Sequence, residues 1–165
     1  MTEPAAAQAT VREAGAADVE GVATAVESLL GELGGRMPSR TEMEAEVQAL
    51  LDDPQGGSVL IAEADGKIVG VLTASWQRAI HVPGVYATIQ DLWVEEAWRS
   101  RGVGAELVEA IASQARTRGV SRLEVGLPRE TFAAIASTQS FYERTGFEHL
   151  GPRMRRLLAD ESGAQ

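Results

Sequence analysis

The spacing of apolar residues in the first third of the chain predicts two helices. Apolar side chains recur at helical spacing through residues 19–33, and Gly34-Gly35 ends that stripe. A second stripe runs through residues 43–51. A capping box is predicted at its start, with the Thr41 hydroxyl and the Glu44 carboxylate each satisfying a backbone donor.

Extended segments occur before and after these helices. The β-rich segments of the first hundred residues are 10–13, 58–63, 67–76 and 86–94. Asp65-Gly66 joins the second and third as a hairpin signal. Pro83 and Gly84 predict a loop over residues 77–85.

The remaining residues alternate between helix and strand. A helical stripe includes Leu107, Ile111 and Ala115 and ends at Gly119. A strand at 122–127, a helix at 132–144 and a last strand at 147–158 complete the pattern. The order β-α-α-β-β-β-α-β-α-β, with hairpins and one crossover, predicts an α/β domain with a mixed sheet over residues 10–158. Residues 1–9 and 159–165 are predicted to be flexible tails.

Composition narrows the function classes. The 165 residues suit one domain, and the absence of Cys excludes disulfides, thiolate metal sites and a Cys nucleophile. His81 and His149 lie far apart, so no metal site is expected. The chain shows no membrane-spanning run and no signal peptide, so we expect a soluble cytoplasmic protein. Its net charge of −9 disfavours nucleic-acid and membrane binding.

Charge is unevenly distributed. Residues 1–97 carry 5 basic and 16 acidic side chains, a net charge of −11, whereas residues 98–129 carry 6 basic and 3 acidic ones, a net charge of +3. The basic segment predicts a local anion site. The acidic half either attracts a cationic partner or only keeps the protein soluble.

The segment with the clearest chemistry contains Arg99-x-x-Gly102-x-Gly104, between a predicted strand and a predicted helix. Glycines allow close backbone approach, and the free amides of a helix start attract anions such as phosphate. Arg99 and Arg101 add charge-assisted donors. The pattern is neither a Walker loop nor a dinucleotide fingerprint. The alternative is an ordinary helix start flanked by basic residues.

Two motifs together resemble the GNAT superfamily of N-acetyltransferases. Asp91-Leu92-Trp93-Val94 followed by the glycine turn resembles motif A of that family, and Phe141-Tyr142-x-x-x-Gly146-Phe147 resembles a signature that follows it. The resemblance spans about residues 10–158. It implies a mostly antiparallel mixed sheet, splayed in the middle and flanked by helices, with acetyl-CoA as cosubstrate in the gap and no metal.

The resemblance also implies the cofactor contacts. The residues expected to contact coenzyme A are Leu92, Trp93, Val94, Arg99, Ser100, Arg101, Gly102, Val103, Gly104, Ala105, Ser137 and Tyr142. Many members of the family carry Asn where this chain has Ile135. Ser137 or Gln139 could replace that contact, and Arg129 could reach a phosphate or be an ordinary loop residue.

The chemistry implied by the resemblance is direct attack of an amine on acetyl-CoA. Tyr142 matches the general acid of the family, and the Val94 N–H matches its oxyanion donor. Asp91 ranks first as base, but strand alternation places it with Ile89 and Trp93 rather than with Leu92 and Val94, so a structural role is equally open. His81 is a second candidate base.

We therefore expect an N-acetyltransferase that acts on a small cationic amine. Protein or peptide acetylation, at an N-terminus or a lysine, is the alternative within the enzyme class. A non-catalytic acyl-CoA sensor and a nucleotide-phosphate binder are alternatives outside it. A homodimer is expected only because members of the family often dimerise.

Overall fold

The computed structural model describes residues 8–158. The described elements in chain order are β1 Thr10–Glu13, α1 Val19–Leu33, α2 Arg40–Asp52, β2 Gly57–Ala64, β3 Lys67–Ala79, β4 Val82–Val94, α3 Val103–Thr117, β5 Leu123–Val125 and α4 Ile135–Arg144. Single 3-10 turns precede α1 and α3. The expected tails lie outside the described residues, except for Gln8 and Ala9.

The five strands form one mixed sheet in the order β1-β2-β3-β4-β5. Strands β1 to β4 pair antiparallel, and β4 pairs parallel to β5. The β4–β5 pairing covers only Ala87–Leu123, Thr88–Glu124 and Ile89–Val125. Beyond Ile89, β4 continues to Val94 with no described partner on that side, so the sheet is splayed there. The predicted fold class is confirmed.

Two apolar clusters place helices on both faces of the sheet. Helices α1 and α2 pack on one face, where Val22 and Val47 meet the inward side chains Ile61 and Val71. Helix α3 packs on the other face through Leu107 and Ile111, among other side chains. These clusters exclude water from both faces of the central strands, and this burial is the main stabilising contribution to the fold. No helix among residues 8–158 is both long and apolar enough to cross a bilayer.

The capping box of α2 was predicted at the wrong residues. Ser39 Oγ accepts a hydrogen bond from the Glu42 N–H, and the Glu42 carboxylate accepts one from the Ser39 N–H at 2.7 Å. The same Ser/Thr-x-x-Glu spacing occurs at Thr41 and Glu44, but the helix already includes both. The Glu44 carboxylate accepts a hydrogen bond from Arg40 instead.

Other parts of the chain also differ from the prediction. Residues 77–85 are mostly strand, because β3 and β4 extend into a long hairpin that turns at Ile80 and His81. Helix α4 starts at Ile135 rather than residue 132. Residues 147–158 form no strand, although a last strand was predicted there. Met154 and Leu158 there are almost fully exposed, so no burial favours strand pairing for that segment.

Candidate active site

A β-bulge in β4 sets the direction of every side chain near the splay. Thr73 pairs with Asp91, but the next residue, Ala74, pairs with Ile89, so Gln90 is the extra residue. Ile89, Leu92 and Val94 therefore share the face covered by α3. Asp91 lies with Trp93 on the face covered by α1 and α2. The simple alternation expected from the sequence was wrong for Ile89.

One edge of β4 is open beyond Ile89, where the pairing with β5 ends. The Glu95 N–H donates to Val69 O at 2.9 Å, so Glu95 points its amide toward β3. In an antiparallel ladder, alternate residues point their amides to opposite sides. The amides of Leu92 and Val94 consequently face away from β3, toward the side where β5 has diverged. Before the bulge, the Ala87 N–H faces that side and is satisfied by Arg122 O at 2.9 Å.

The glycine turn presents the start of α3 beside this open edge. Ser100 and Gly102 both adopt positive φ, of 59° and 86°. The first helical hydrogen bond runs from the Glu106 N–H to Gly102 O at 3.0 Å. The amides of Val103, Gly104 and Ala105 therefore have no acceptor within the helix, and they form the positive end of its dipole.

The two glycines of the turn have different structural roles. Gly102 needs its left-handed conformation, and a Cβ there would meet nothing within 4 Å. Gly104 is a packing position, because a Cβ would lie 3.2 Å from two ring atoms of Phe141 and 3.7 Å from Val94 Cγ2. Gly104 thus lets α4 pack against the first turn of α3. Val103 is buried in the core, so only its backbone faces the turn.

The two arginines of the turn point in different directions. Arg99 folds back, donating from Nε to Val94 O at 2.9 Å and from Nη2 to the Glu32 carboxylate of α1 at 2.5 Å. The Arg101 guanidinium lies 4.3 Å from the centre of the Trp98 ring, a cation–π contact. The Arg101 guanidinium is therefore stacked on Trp98 at the turn, whereas the Arg99 guanidinium is directed to Val94 O and to Glu32 of α1.

Asp91 lies at the point where β4 and β5 diverge. Its carboxylate accepts a hydrogen bond of 2.5 Å from the Thr73 hydroxyl, and Thr73 is 3 % exposed. Burial raises the pKa of Asp91, and the bond from Thr73 offsets part of that rise. A carboxylate with a raised pKa is a stronger base than an exposed one.

Tyr142 is buried near the C-terminal end of α4. Its ring makes edge contacts with Phe141 and Phe147, with centroid distances of 5.1 and 5.4 Å. Burial raises the pKa of Tyr142 to about 12, so its hydroxyl keeps its proton at neutral pH. Because Phe141 rests on Gly104, the same aromatic cluster joins Tyr142 to the start of α3.

Three other residues predicted from the sequence are Ser137, Trp93 and His81, and their contacts or positions do not associate them with the open edge of β4. The Ser137 hydroxyl donates to Ala134 O at 2.9 Å within its own helix start, and its side chain is exposed. Trp93 packs into the cluster under α1 and α2 rather than toward the open edge. His81 is exposed at the turn between β3 and β4, ten residues before Asp91. That separation corresponds to roughly 33 Å of extended strand, which argues against His81 as the base.

Sequence reasoning missed an acidic cleft beside the turn. It has a volume of about 610 Å³ and is lined by Ser28, Glu32, Trp93, Glu95, Glu96, Ala97 and Arg99. Asp91 and Trp93 lie on the same face of β4, about 7 Å apart along the strand. The acidic pair Glu95-Glu96 was visible in the sequence, but the approach of Glu32 depends on how α1 packs.

The family is shown by a profile match. The model of the acetyltransferase (GNAT) family matches residues 26–147, which is most of the chain. The chain therefore belongs to the GNAT superfamily of acetyltransferases, and the resemblance found in the sequence is confirmed.

Characterised relatives share about a quarter of their residues with this chain. An IAA acetyltransferase of Azospirillum brasilense is 28% identical over 81% of this chain and 84% of its own length. An L-methionine sulfoximine/L-methionine sulfone acetyltransferase of Pseudomonas aeruginosa is 26% identical over 87% and 82%. Aminoglycoside N-acetyltransferase AAC(6')-Iy, solved with CoA, matches at a TM-score of 0.77 and 17% identity, covering 94% of this chain and 98% of its own. The last likeness supports the fold alone.

Proposed function

We propose that the protein is an acetyl-CoA-dependent N-acetyltransferase that acts on a small cationic amine. The observation that carries the proposal is the open edge of β4, whose Leu92 and Val94 amides face the gap left by β5 beside the free amides of α3. This arrangement offers a strand-like partner to an amide-containing chain and an anion site at one end of it. The pantetheine arm and the pyrophosphate of coenzyme A have these two chemistries.

The pyrophosphate would bind the amides of Val103, Gly104 and Ala105, with Arg101 nearby as a cation. The acidic cleft lies on the other side of the turn, and its carboxylates would repel a phosphate group. The cofactor and the acceptor would therefore approach the strand end from different sides.

The chemical step would be direct acyl transfer. The neutral amine nitrogen attacks the thioester carbonyl carbon, and the charge that develops on the oxygen is stabilised by the Val94 N–H. Asp91 takes the amine proton, directly or through water, as the C–N bond forms. The C–S bond then breaks, and Tyr142 gives its proton to the leaving sulfur. Exchange of protons with solvent restores both side chains.

The acceptor class is inferred from charge. Glu32, Glu95 and Glu96 line the cleft that adjoins Trp93, and this site favours a molecule with positive charge. Of the two relatives compared by sequence, one is named for amino-acid analogues, which are small molecules with an amino group, and the other is named for IAA.

Acetyl-CoA titration by calorimetry, followed by a thiol-release assay over an amine panel, tests this function. The panel contains polyamines, aminoglycosides, amino acids and short peptides. Saturable binding together with thiol release that depends on a polyamine or aminoglycoside is the expected result. Absence of acetyl-CoA binding would contradict the assignment of the gap. Release with peptides alone would contradict the acceptor class.

A further inference from the structure

One peptide group at the end of β4 is held from both sides. In the Val94–Glu95 peptide, the N–H of Glu95 donates to Val69 O at 2.9 Å. The carbonyl oxygen of Val94 accepts from Arg99 Nε, also at 2.9 Å. The first bond belongs to the antiparallel pairing with β3, whereas the second comes from a side chain five residues further along the chain. Together they fix the rotation of the backbone immediately after the Val94 amide.

The Arg99 side chain is itself oriented by α1. Its Nη2 donates to Glu32 Oε1 at 2.5 Å, and both side chains are 43 % exposed. Glu32 lies in the last turn of α1, which packs on the sheet. A guanidinium is planar, so donation from Nε to one acceptor and Nη2 to another sets its orientation. The Glu32–Arg99–Val94 clamp thus connects α1 to the strand end.

We propose that Arg99 is a positioning residue, which acts through the Val94 backbone and is oriented by Glu32, rather than a ligand of the cofactor phosphate. This inference rests on the proposed function, since it concerns the orientation of the Val94 amide toward the thioester carbonyl. Holding a hydrogen-bond donor in place before the reaction is the main way in which an oxyanion site lowers a barrier.

The position of the guanidinium favours this role over phosphate binding. Arg99 Nη2 donates to Glu32, and Arg99 lines the cleft together with Glu32, Glu95 and Glu96. An anion placed there would face three carboxylates. Arg101, in contrast, lies over Trp98 on the turn that leads into α3.

The polarisation of the bound acetyl carbonyl distinguishes a positioning role of Arg99 from a phosphate-binding role. The experiment uses acetyl-CoA labelled with ¹³C at the carbonyl, the intact protein, and the variants Arg99→Met and Glu32→Gln. The ¹³C shift on binding reports how strongly a donor polarises the carbonyl, and calorimetry gives the dissociation constant. The matched control is Arg116→Met, which removes an exposed arginine of α3 that pairs with Glu109.

We expect the wild-type protein to move the carbonyl signal downfield on binding. Arg99→Met should reduce that displacement by at least half while the dissociation constant changes less than threefold. Glu32→Gln, which keeps a hydrogen-bond acceptor, should give a smaller reduction and serves as the milder variant if Arg99→Met fails to fold. Arg116→Met should change neither quantity.

Two results would overturn the positioning role. A dissociation constant raised tenfold with the displacement intact would make Arg99 a phosphate ligand. No change in either quantity for both clamp variants would leave the clamp without effect on the site. Failure of the wild-type protein to bind acetyl-CoA is a different outcome, because it removes the proposed function and this inference together.

Discussion

The two edges of β4 differ in how completely they are paired. On the β3 side, register pairs continue from Gly70–Val94 to Ala79–Val82, interrupted by two irregularities. On the β5 side, only three pairs exist, from Ala87 to Ile89. The first edge holds the strand in the sheet, and the second leaves the Leu92 and Val94 amides without a strand partner. The contrast shows that one side of the strand is committed to the sheet, and the other is the side on which we propose that acetyl-CoA binds.

The largest effect is expected from breaking the helix packing beside the open edge. Gly104→Val would place a branched side chain where a Cβ alone lies 3.2 Å from the Phe141 ring. We expect acetyl-CoA affinity to fall at least a hundredfold and the free energy of unfolding to fall by about 1–3 kcal/mol through overpacking. Calorimetry and denaturant unfolding measure the two effects.

Gly31→Val is the matched control, because Gly31 is a helical glycine of α1 where an added Cβ would meet nothing within 4 Å. It should leave acetyl-CoA binding unchanged. If Gly104→Val binds acetyl-CoA as well as wild type does, the start of α3 is not the anion site.

Removal of the Tyr142 hydroxyl tests the chemistry at the open edge rather than binding there. Tyr142→Phe keeps the ring contacts with Phe141 and Phe147, so we expect normal acetyl-CoA affinity with turnover reduced about 10²–10³-fold. Because burial raises the pKa of Tyr142 to about 12, the wild-type rate should show no loss of this acid below pH 10.

Tyr86→Phe, at the other tyrosine of the chain, is the control and should not change turnover. Steady-state rates of thiol release provide the measurement. Equal rates for Tyr142→Phe and wild type would rule out Tyr142 as the proton donor.

Asp91→Asn distinguishes a catalytic role of Asp91 from a structural one, on the edge of β4 that pairs with β3. Burial raises the pKa of folded Asp91 above its ordinary value of 3.8, so the folded state binds this proton more tightly than the unfolded chain does. The contribution of Asp91 to stability is therefore lost as pH rises through the interval between those two pKa values. At pH 7 the buried charge of Asp91 lowers the free energy of unfolding. Asn carries no charge and removes that penalty, and its side-chain oxygen can still accept a hydrogen bond from Thr73.

We thus expect Asp91→Asn to lower turnover about 10–100-fold while the melting temperature at pH 7 stays equal or rises. Thermal denaturation and thiol release are measured on the same sample. A lower melting temperature with unchanged turnover would instead assign Asp91 a purely structural role.

The smallest effect is expected in the acidic cleft, which lies on the α1 side of the strand end. Glu95→Gln with Glu96→Gln should raise KM for a cationic amine about three- to tenfold and leave acetyl-CoA affinity unchanged. Glu109→Gln, an exposed carboxylate on α3, is the control. An unchanged KM in the double variant would exclude the cleft as the source of acceptor selectivity.

The sequence predicted most of the sheet because its signals are local. The Asp65-Gly66 turn, the helical stripes and the glycine turn each depend on neighbouring residues, and the structure contains all three. The Gln90 bulge was not predictable, because a bulge arises from how two strands pair and leaves no signal in the residues of one strand alone. The absence of a strand at 147–158 was not predictable either, since a strand also needs a partner edge, which a local segment does not reveal.

The candidate site likewise contains some features that local motifs predict and others that depend on contacts between distant residues. Gly102 and Tyr142 were found from motifs, whereas the Gly104–Phe141 contact and the Glu32–Arg99 ion pair join residues far apart in the chain. Arg99 was expected at the phosphate from its motif position, and only the packing of α1 reveals its other partners.

The most direct test of the open edge is amide hydrogen exchange of Leu92 and Val94 with and without acetyl-CoA, with Ala87 as an internal reference. In the free protein both amides should exchange faster than that of Ala87, which already donates to Arg122 O. Saturating acetyl-CoA should slow Leu92 and Val94 at least tenfold and leave Ala87 unchanged. Unaltered exchange at both residues in the saturated protein would contradict the assignment of the gap as the acetyl-CoA site.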